Sequence, residues 1–345
     1  MLLDFLIDAG ETSEAKREIS RLKNEGFVED SSFLLIEARI AADADDGPKL
    51  RSLLSKARIR AEIEGNSRAR ATAVANLKMI EFGEGRASRK ATLRELEVLF
   101  ADQPTNGAIF KMISDLCWRA KDLQILDRSL SLFKDRGGAP AVVAMGEAMV
   151  ANLRGDFLDA ARWAKNWMKL DPLDGAAAGI AITLHGHATE KWDEAAVMAR
   201  QALSFAPNSE SVVNSAAYAL ALGGDPRTAI RIIRNFGTSS YVLQATLGLA
   251  LISAGEIASG LAEYRKAADW ADKGRETGNS RALMTQHQAA GLMRLGITNT
   301  ALSVEVKASA LPHVDLPEDW EDYPAFTMLK WVADRSNWAW PLTID

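Results

Sequence analysis

The chain has 345 residues, 48% of them apolar, with 41 Lys and Arg against 46 Asp and Glu and a net charge of −5. These values exclude a disordered chain, and the length admits one to three domains of roughly 100–200 residues or one extended array. A single cysteine, Cys117, excludes a disulfide framework and a thiolate zinc cluster, and the mild acidity gives no whole-molecule attraction to nucleic acid or an anionic membrane.

In chain order, residues Met1 to Asp8 are apolar but short, interrupted by acid and without a basic leader, so they do not read as a signal peptide. Gly10 falls where the turn of a first helix pair is expected. That pair's first helix is then expected to begin before Met1, and the chain to descend from a longer protein or to dock through residues 1–10. From there, apolar-periodic stretches alternate with Gly or polar turns, and a small or apolar residue opens each second stretch. These openers are Ala15, Leu50, Thr92, Leu126, Ala160, Ala195, Ala229, Gly260 and Ala301. Their spacings are 35, 42, 34, 34, 35, 34, 31 and 41, so five of eight fall at 34 or 35, a period that means stacked helix pairs. Asp272 to Ser280 reads as the most visible insertion. Apolar residues at three- and four-residue intervals predict one buried stripe per helix. Pro48, Pro104, Pro140, Pro172, Pro207, Pro226 and Pro312 are expected between helices. Asp46-Gly47, Asn106-Gly107 and Asp174-Gly175 read as helix exits, because they lack the alternating flanks of hairpins. No run approaches the roughly 18 apolar residues of a membrane helix, so the expected location is cytoplasmic with no membrane partner.

The stretch from Ala141 to Ala267 resembles tetratricopeptide repeats. The matching residues are Leu247-Gly248, Phe157 and Trp192, Ala160, Ala195 and Ala229, Tyr264, Pro172 and Pro207. The early Trp of that pattern is missing, and the four N-terminal units keep only spacing and apolar pattern. The resemblance implies an all-α, right-handed α-solenoid of about nine antiparallel helix pairs, whose first helices line a concave surface that binds peptides or partner proteins. Residues 1–311 are expected to form the array, with weak repeats over 1–140 and clearer ones over 141–311. Residues 312–345 carry Trp320, Trp331, Trp338 and Trp340 and read as a cap folded onto the last pair, or as a tail reaching inward to occupy the groove.

Motifs for chemistry are sparse. There is no phosphate loop, and Gly83-Glu84-Gly85 reads as an interhelical turn. His185 and His187 stand two apart, about 200° round a helix, so they do not readily chelate one metal, while His287 and His313 are isolated in sequence. The Ser-x-x-Lys pairs at Ser13 and Ser131 lack their companion motifs, and Cys117 reads as a buried small hydrophobe. No catalytic residue, metal or cofactor is expected.

Binding residues are better marked. The register places Lys111, Asp115, Trp118 and Arg119 on the inner face, followed by Met145, Met149 and Asn152, and then by His187, Asn214, Tyr218, Gln286 and His287. The candidate partner-binding residues are Trp118, Arg119, Met145, Met149, Asn152, His187, Asn214 and Tyr218. Met and aromatic side chains suit an adaptable apolar groove, and Asn hydrogen-bonds an extended backbone; the bland reading of Trp118, Met145 and Met149 is plain core. Residues 51–94 carry 11 basic and 4 acidic residues. They read either as a solvated face or as a patch for nucleic acid or an acidic partner, with base stacking disfavoured because Phe82 is the one aromatic residue there. The leading expectation is a non-catalytic adaptor that holds a protein or peptide in a concave groove. The alternatives are nucleic-acid binding through residues 51–94 and a regulatory or sensor region of a larger enzyme.

Overall fold

A computed structural model describes residues 2–8, 11–27, 29–238, 240–273, 278–295 and 316–342, and among these every regular element is helical. They fall into two compact units, Met1–Trp118 with Asp122–Glu147 and Arg119–Lys121 with Ala148–Asp345. The first unit holds α1 (Leu2–Asp8), α2 (Thr12–Asn24), α3 (Ser31–Asp43), α4 (Gly47–Glu64), α5 (Ser67–Gly83), α6 (Arg89–Asp102), α7 (Gly107–Leu116) and α8 (Leu123–Asp135). Next comes α9 (Pro140–Arg154). The second unit continues with α10 (Phe157–Leu170), α11 (Gly175–Thr189), α12 (Trp192–Phe205), α13 (Glu210–Leu222) and α14 (Pro226–Phe236). It ends with α15 (Tyr241–Ser253), α16 (Ile257–Lys273), α17 (Gly278–Arg294) and α18 (Pro324–Arg335). The chain is an all-α solenoid of helix pairs, and residues beyond these ranges, including Gly10, Ala301, Pro312 and His313, lie outside the described set.

The predicted period falls into register with the helices. Ala15, Leu50, Thr92, Leu126, Ala160, Ala195, Ala229 and Gly260 are each the fourth residue of α2, α4, α6, α8, α10, α12, α14 and α16. Most are fully buried, because that position is where the second helix crosses the first. In the first unit α3 packs on α4, α5 on α6 and α7 on α8, while α3, α5 and α7 lie side by side. In the second unit α11 packs on α12, α13 on α14 and α15 on α16, and α11, α13, α15 and α17 form the corresponding row.

Helix ends correct two details of the sequence reading. Asp46, Asn106 and Asp174 sit at helix entries rather than exits, their carboxylate or amide oxygens accepting from Lys49 N, Ala108 N and Ala176 N. Those oxygens satisfy amides that have no partner within the first turn. Pro48, Pro140 and Pro226 likewise lie inside the first turn of α4, α9 and α14. Proline is tolerated there because its missing N–H has no bond to lose. Gly83 closes α5, and Glu84 and Gly85 form the expected turn between helices, with Gly85 at φ 72.

Each unit has its own core. In the first, Phe100, Phe110 and Phe133 cluster at centroid distances of 5.1 to 6.2 Å. Beside them Arg89 bonds the Asp122 carboxylate at 2.6 and 3.1 Å and the Leu116 carbonyl at 2.6 Å. In the second, Gly248 and Gly260 face each other where α15 crosses α16. A Cβ on Gly248 would collide with the Tyr264 ring, and one on Gly260 with the Gly248 carbonyl. Residues 316–342 pack on α17 and also on α11, three pairs earlier in the chain, so this segment does more than cover the last pair.

If close crossing holds the pairs together, Gly260→Val should cost about 1–3 kcal/mol through overpacking. Ser259→Val, at the exposed neighbouring position, should stay within about 0.5 kcal/mol. Denaturant midpoints of the two variants decide the matter; equal midpoints would remove the crossing argument.

Candidate functional site

The row α11, α13, α15 and α17 is covered by second helices behind and by the chain's own 316–342 segment in front of α11 and α17. Many polar residues in this row are therefore buried or half-buried, and these must find partners inside the fold. Between these helices lies a cavity of about 280 Å³. Thr183 and His187 of α11 line it with Asn214, Ser215 and Tyr218 of α13. Opposite stand Tyr241, Val242, Ala245, Thr246 and Leu249 of α15, Tyr264 of α16, and Leu283, Met284, His287 and Gln288 of α17.

Several of these groups satisfy one another. Thr246 Oγ1 donates to Asn214 Oδ1 at 2.7 Å, Thr183 Oγ1 to Ser215 Oγ at 3.2 Å, and the Tyr218 hydroxyl to the His287 carbonyl at 3.3 Å. Others do not. Both ring nitrogens of His187, the Tyr264 hydroxyl and Gln288 Nε2 are buried without a hydrogen-bond partner. His187 is enclosed by the rings of Trp192, His287 and Tyr218 at centroid distances of 4.9, 5.4 and 5.8 Å. Burial holds the His187 imidazole well below the usual value, with help from His287 and Arg294, and brings His287 down to about 4. Burial also raises the Tyr218 and Tyr264 hydroxyls. At neutral pH the lining is uncharged.

Another side of α17 holds the chain's own 316–342 segment. The Gln286 amide receives Leu342 N–H on Oε1 at 2.8 Å and donates Nε2–H to the Leu342 carbonyl at 3.4 Å. Arg335 donates to the Ala188 carbonyl at 3.0 Å, meeting one of the unpaired acceptors at the end of α11. Arg294 stands between the Trp192 and Trp338 rings, 5.7 and 5.4 Å from their centroids, and Trp331 meets Phe157 at 5.5 Å. At the start of the segment Arg119 bonds Asp319 at 3.1 Å and the Tyr323 hydroxyl at 2.8 Å, and Lys121 bonds Asp322 at 2.9 Å.

The residues singled out in the sequence separate accordingly. Trp118 and Met145 belong to the first unit, Trp118 half-exposed under Arg89 at 5.2 Å and Met145 buried. Arg119 serves the 316–342 segment. Met149 and Asn152 are half-buried in α9 and do not line the cavity, whereas His187, Asn214 and Tyr218 all do. His287, isolated in sequence, lies against His187. The sequence reading missed Thr246, Tyr264 and Gln288 as cavity residues. The available signal was the pair Gln244 and Thr246, polar positions in an otherwise apolar helix. In the first unit the row α3, α5 and α7 carries its own groove of about 430 Å³, lined in part by Lys111 and Asp115.

Chemistry elsewhere is structural. His185 bonds Glu194 at 3.1 Å, and burial pushes the Cys117 thiol up to about 12. Among the described residues no three His, Cys, Asp or Glu side chains gather as a metal site, and no helix is long and apolar enough to cross a membrane. In the basic stretch, acidic neighbours draw in Arg51, Arg60, Lys78, Arg86 and Arg89.

No family model matches the chain, and no curated protein matches it in sequence. Among solved structures the chain is similar to a tetratricopeptide repeat protein from Parabacteroides merdae. The identity is 11%, the match covers 71% of this chain and 99% of that one, and the TM-score is 0.43. A likeness this distant carries no weight beside the helix pairing itself.

Because His187 and His287 titrate below the ordinary histidine value, the unfolded chain takes up protons that the folded chain refuses as the pH falls below about 6.5. Stability therefore falls as the pH drops below that value, and for His287 the loss is complete on the way down to about 4. His287→Gln should therefore reduce the drop in melting temperature between pH 7 and pH 4.5. Identical drops in the native chain and the variant would rule His287 out as a source.

Proposed function

We propose that this chain is a non-catalytic scaffold that holds a protein or peptide partner in extended form on the face made by the first helices of its pairs. One observation supports the reading: Gln286 of α17 hydrogen-bonds both backbone groups of the chain's own Leu342, an internal instance of main-chain pairing to this helix row. Backbone pairing tolerates many sequences, and neighbouring aromatic rings supply selectivity for side chains. The row α3, α5 and α7 offers a second groove of the same kind in the first unit. The charge distribution supports a protein partner over nucleic acid, since Arg51, Arg60, Lys78, Arg86 and Arg89 already face acidic side chains. A cytoplasmic location belongs to the same reading, and it is supported by a fold that carries no disulfide staple.

The test uses the intact chain and a labelled synthetic peptide of residues 316–342. In the native chain the resident segment competes at high effective concentration, so binding should be weak. The double variant Trp338→Ala, Leu342→Asp loosens that segment and should bind the peptide, and adding Gln286→Leu should weaken this binding about tenfold. Failure of the loosened chain to bind, or binding indifferent to Gln286, would overturn the reading.

A further inference from the structure

We propose that the cavity between α11, α13, α15 and α17 is a binding site for a small, neutral, one- or two-ring compound that carries both a hydrogen-bond donor and an acceptor on its edge. This inference stands apart from polypeptide binding, because neither Gln286 nor Leu342 belongs to the cavity wall.

The size comes first. At about 280 Å³ the cavity lies just below the range of pockets for drug-sized molecules, and it approaches twice the roughly 150 Å³ that accommodates a benzene. One ring or two fused rings fill such a space. The walls fit a ring, since His187, Tyr218, Tyr264 and His287 present aromatic surface and Leu249 and Leu283 present aliphatic surface.

Polarity sets the edge of the ligand. Buried polar groups in folded proteins are almost always paired, yet three side chains of this one lining are not: His187, Tyr264 and Gln288, respectively 0%, 2% and 5% exposed. The Tyr264 hydroxyl and the Gln288 amide bring donors that call for an acceptor. The neutral His187 imidazole brings one donor and one acceptor. A lactam answers both needs with its adjacent N–H and C=O, and a phenol with a single hydroxyl.

Charge excludes the remaining classes. No Asp, Glu, Lys or Arg lines the cavity, and His187 and His287 stay unprotonated at neutral pH because burial penalises their charged forms. An anion would find no cation in the lining, since Arg294, which acts on His187 and Tyr218, is held against Glu190 and the Trp192 and Trp338 rings; a cation would find no carboxylate there, and each would surrender its hydration on entering.

Three probes of the same two-ring size separate these features: quinolin-2-one, a neutral lactam; 2-naphthol, a neutral phenol; and 2-naphthoate, an anion. Binding to the intact chain is read by ligand-observed NMR at pH 7.5. The lactam and the phenol should bind, and the carboxylate should bind at least about tenfold more weakly. Tyr264→Phe and Gln288→Leu each keep the packing volume while removing one unpaired polar group. Each should weaken the lactam by about three- to tenfold with unchanged helicity and an unchanged or raised melting temperature. Val242→Trp, at the exposed rim, should block all three probes without touching the core. Absence of binding by both neutral probes, equal binding of the anion, or binding unchanged in all three variants would each overturn the proposal. Peptide binding by the loosened chain leaves every one of those readouts untouched, so the two readings fail separately.

Discussion

Everything in this fold depends on how closely the second helix of each pair crosses the first. A lone helix pair cannot bury both of its faces, so it persists only by stacking, and stacking requires backbones to approach to the width of a small side chain. The fourth residue of the second helix supplies that approach. Where it is Ala160, Ala195 or Ala229 the side chain is fully buried, and where it is Gly260 even a methyl group has no room. Leu126 and Thr92 occupy the same position in the first unit, also buried, with phenylalanine rings filling the wider spaces nearby.

Stacking has a consequence for the first helices. They are sandwiched, so α15 is buried from Leu243 to Ile252, and any polar residue it carries sits inside the protein. A buried polar group left alone costs about 1–3 kcal/mol. The chain meets that demand in two ways, pairing within the row, as Thr246 does with Asn214, and pairing with the 316–342 segment, as Gln286 does with Leu342; His187 and Gln288 of the row, and Tyr264 of the second helix α16, are left without a partner. These three groups line one cavity, which is why that cavity differs from an ordinary packing defect.

Charge follows the same economy. The basic residues between 51 and 94 are spread over α4, α5 and α6, and several of them bridge neighbouring helices or close turns instead of facing one direction. Arg89 is the clearest case, its guanidinium inserted between the Asp122 carboxylate and the end of α7. Arg119, Arg294 and Arg335 do comparable work in the second unit, each set against an aromatic ring as well as a hydrogen-bond or ion-pair partner. Arginine serves here because a planar cation can stack and hydrogen-bond at once.

The repeat length, the helix pairs and the small residues at the crossings of Ala160, Ala195, Ala229 and Gly260 were legible in the amino-acid sequence, because spacing and side-chain size are local properties that periodicity exposes. Helix polarity was less so: Asp46, Asn106 and Asp174 look alike before and after a helix, and the hydrogen bond to the following amides is what makes them entries. Of the candidate site, His187, Asn214 and Tyr218 came from register alone. Tyr264 and Gln288, and the meeting of His187 with His287 across one hundred residues, were decided by the stacking of three successive pairs. So was the course of residues 316–342, whose aromatic residues marked a covering segment but carried no information about which helices they cover. Contacts of that kind depend on how many pairs intervene and how each turns relative to the last, and no short window of sequence contains either quantity.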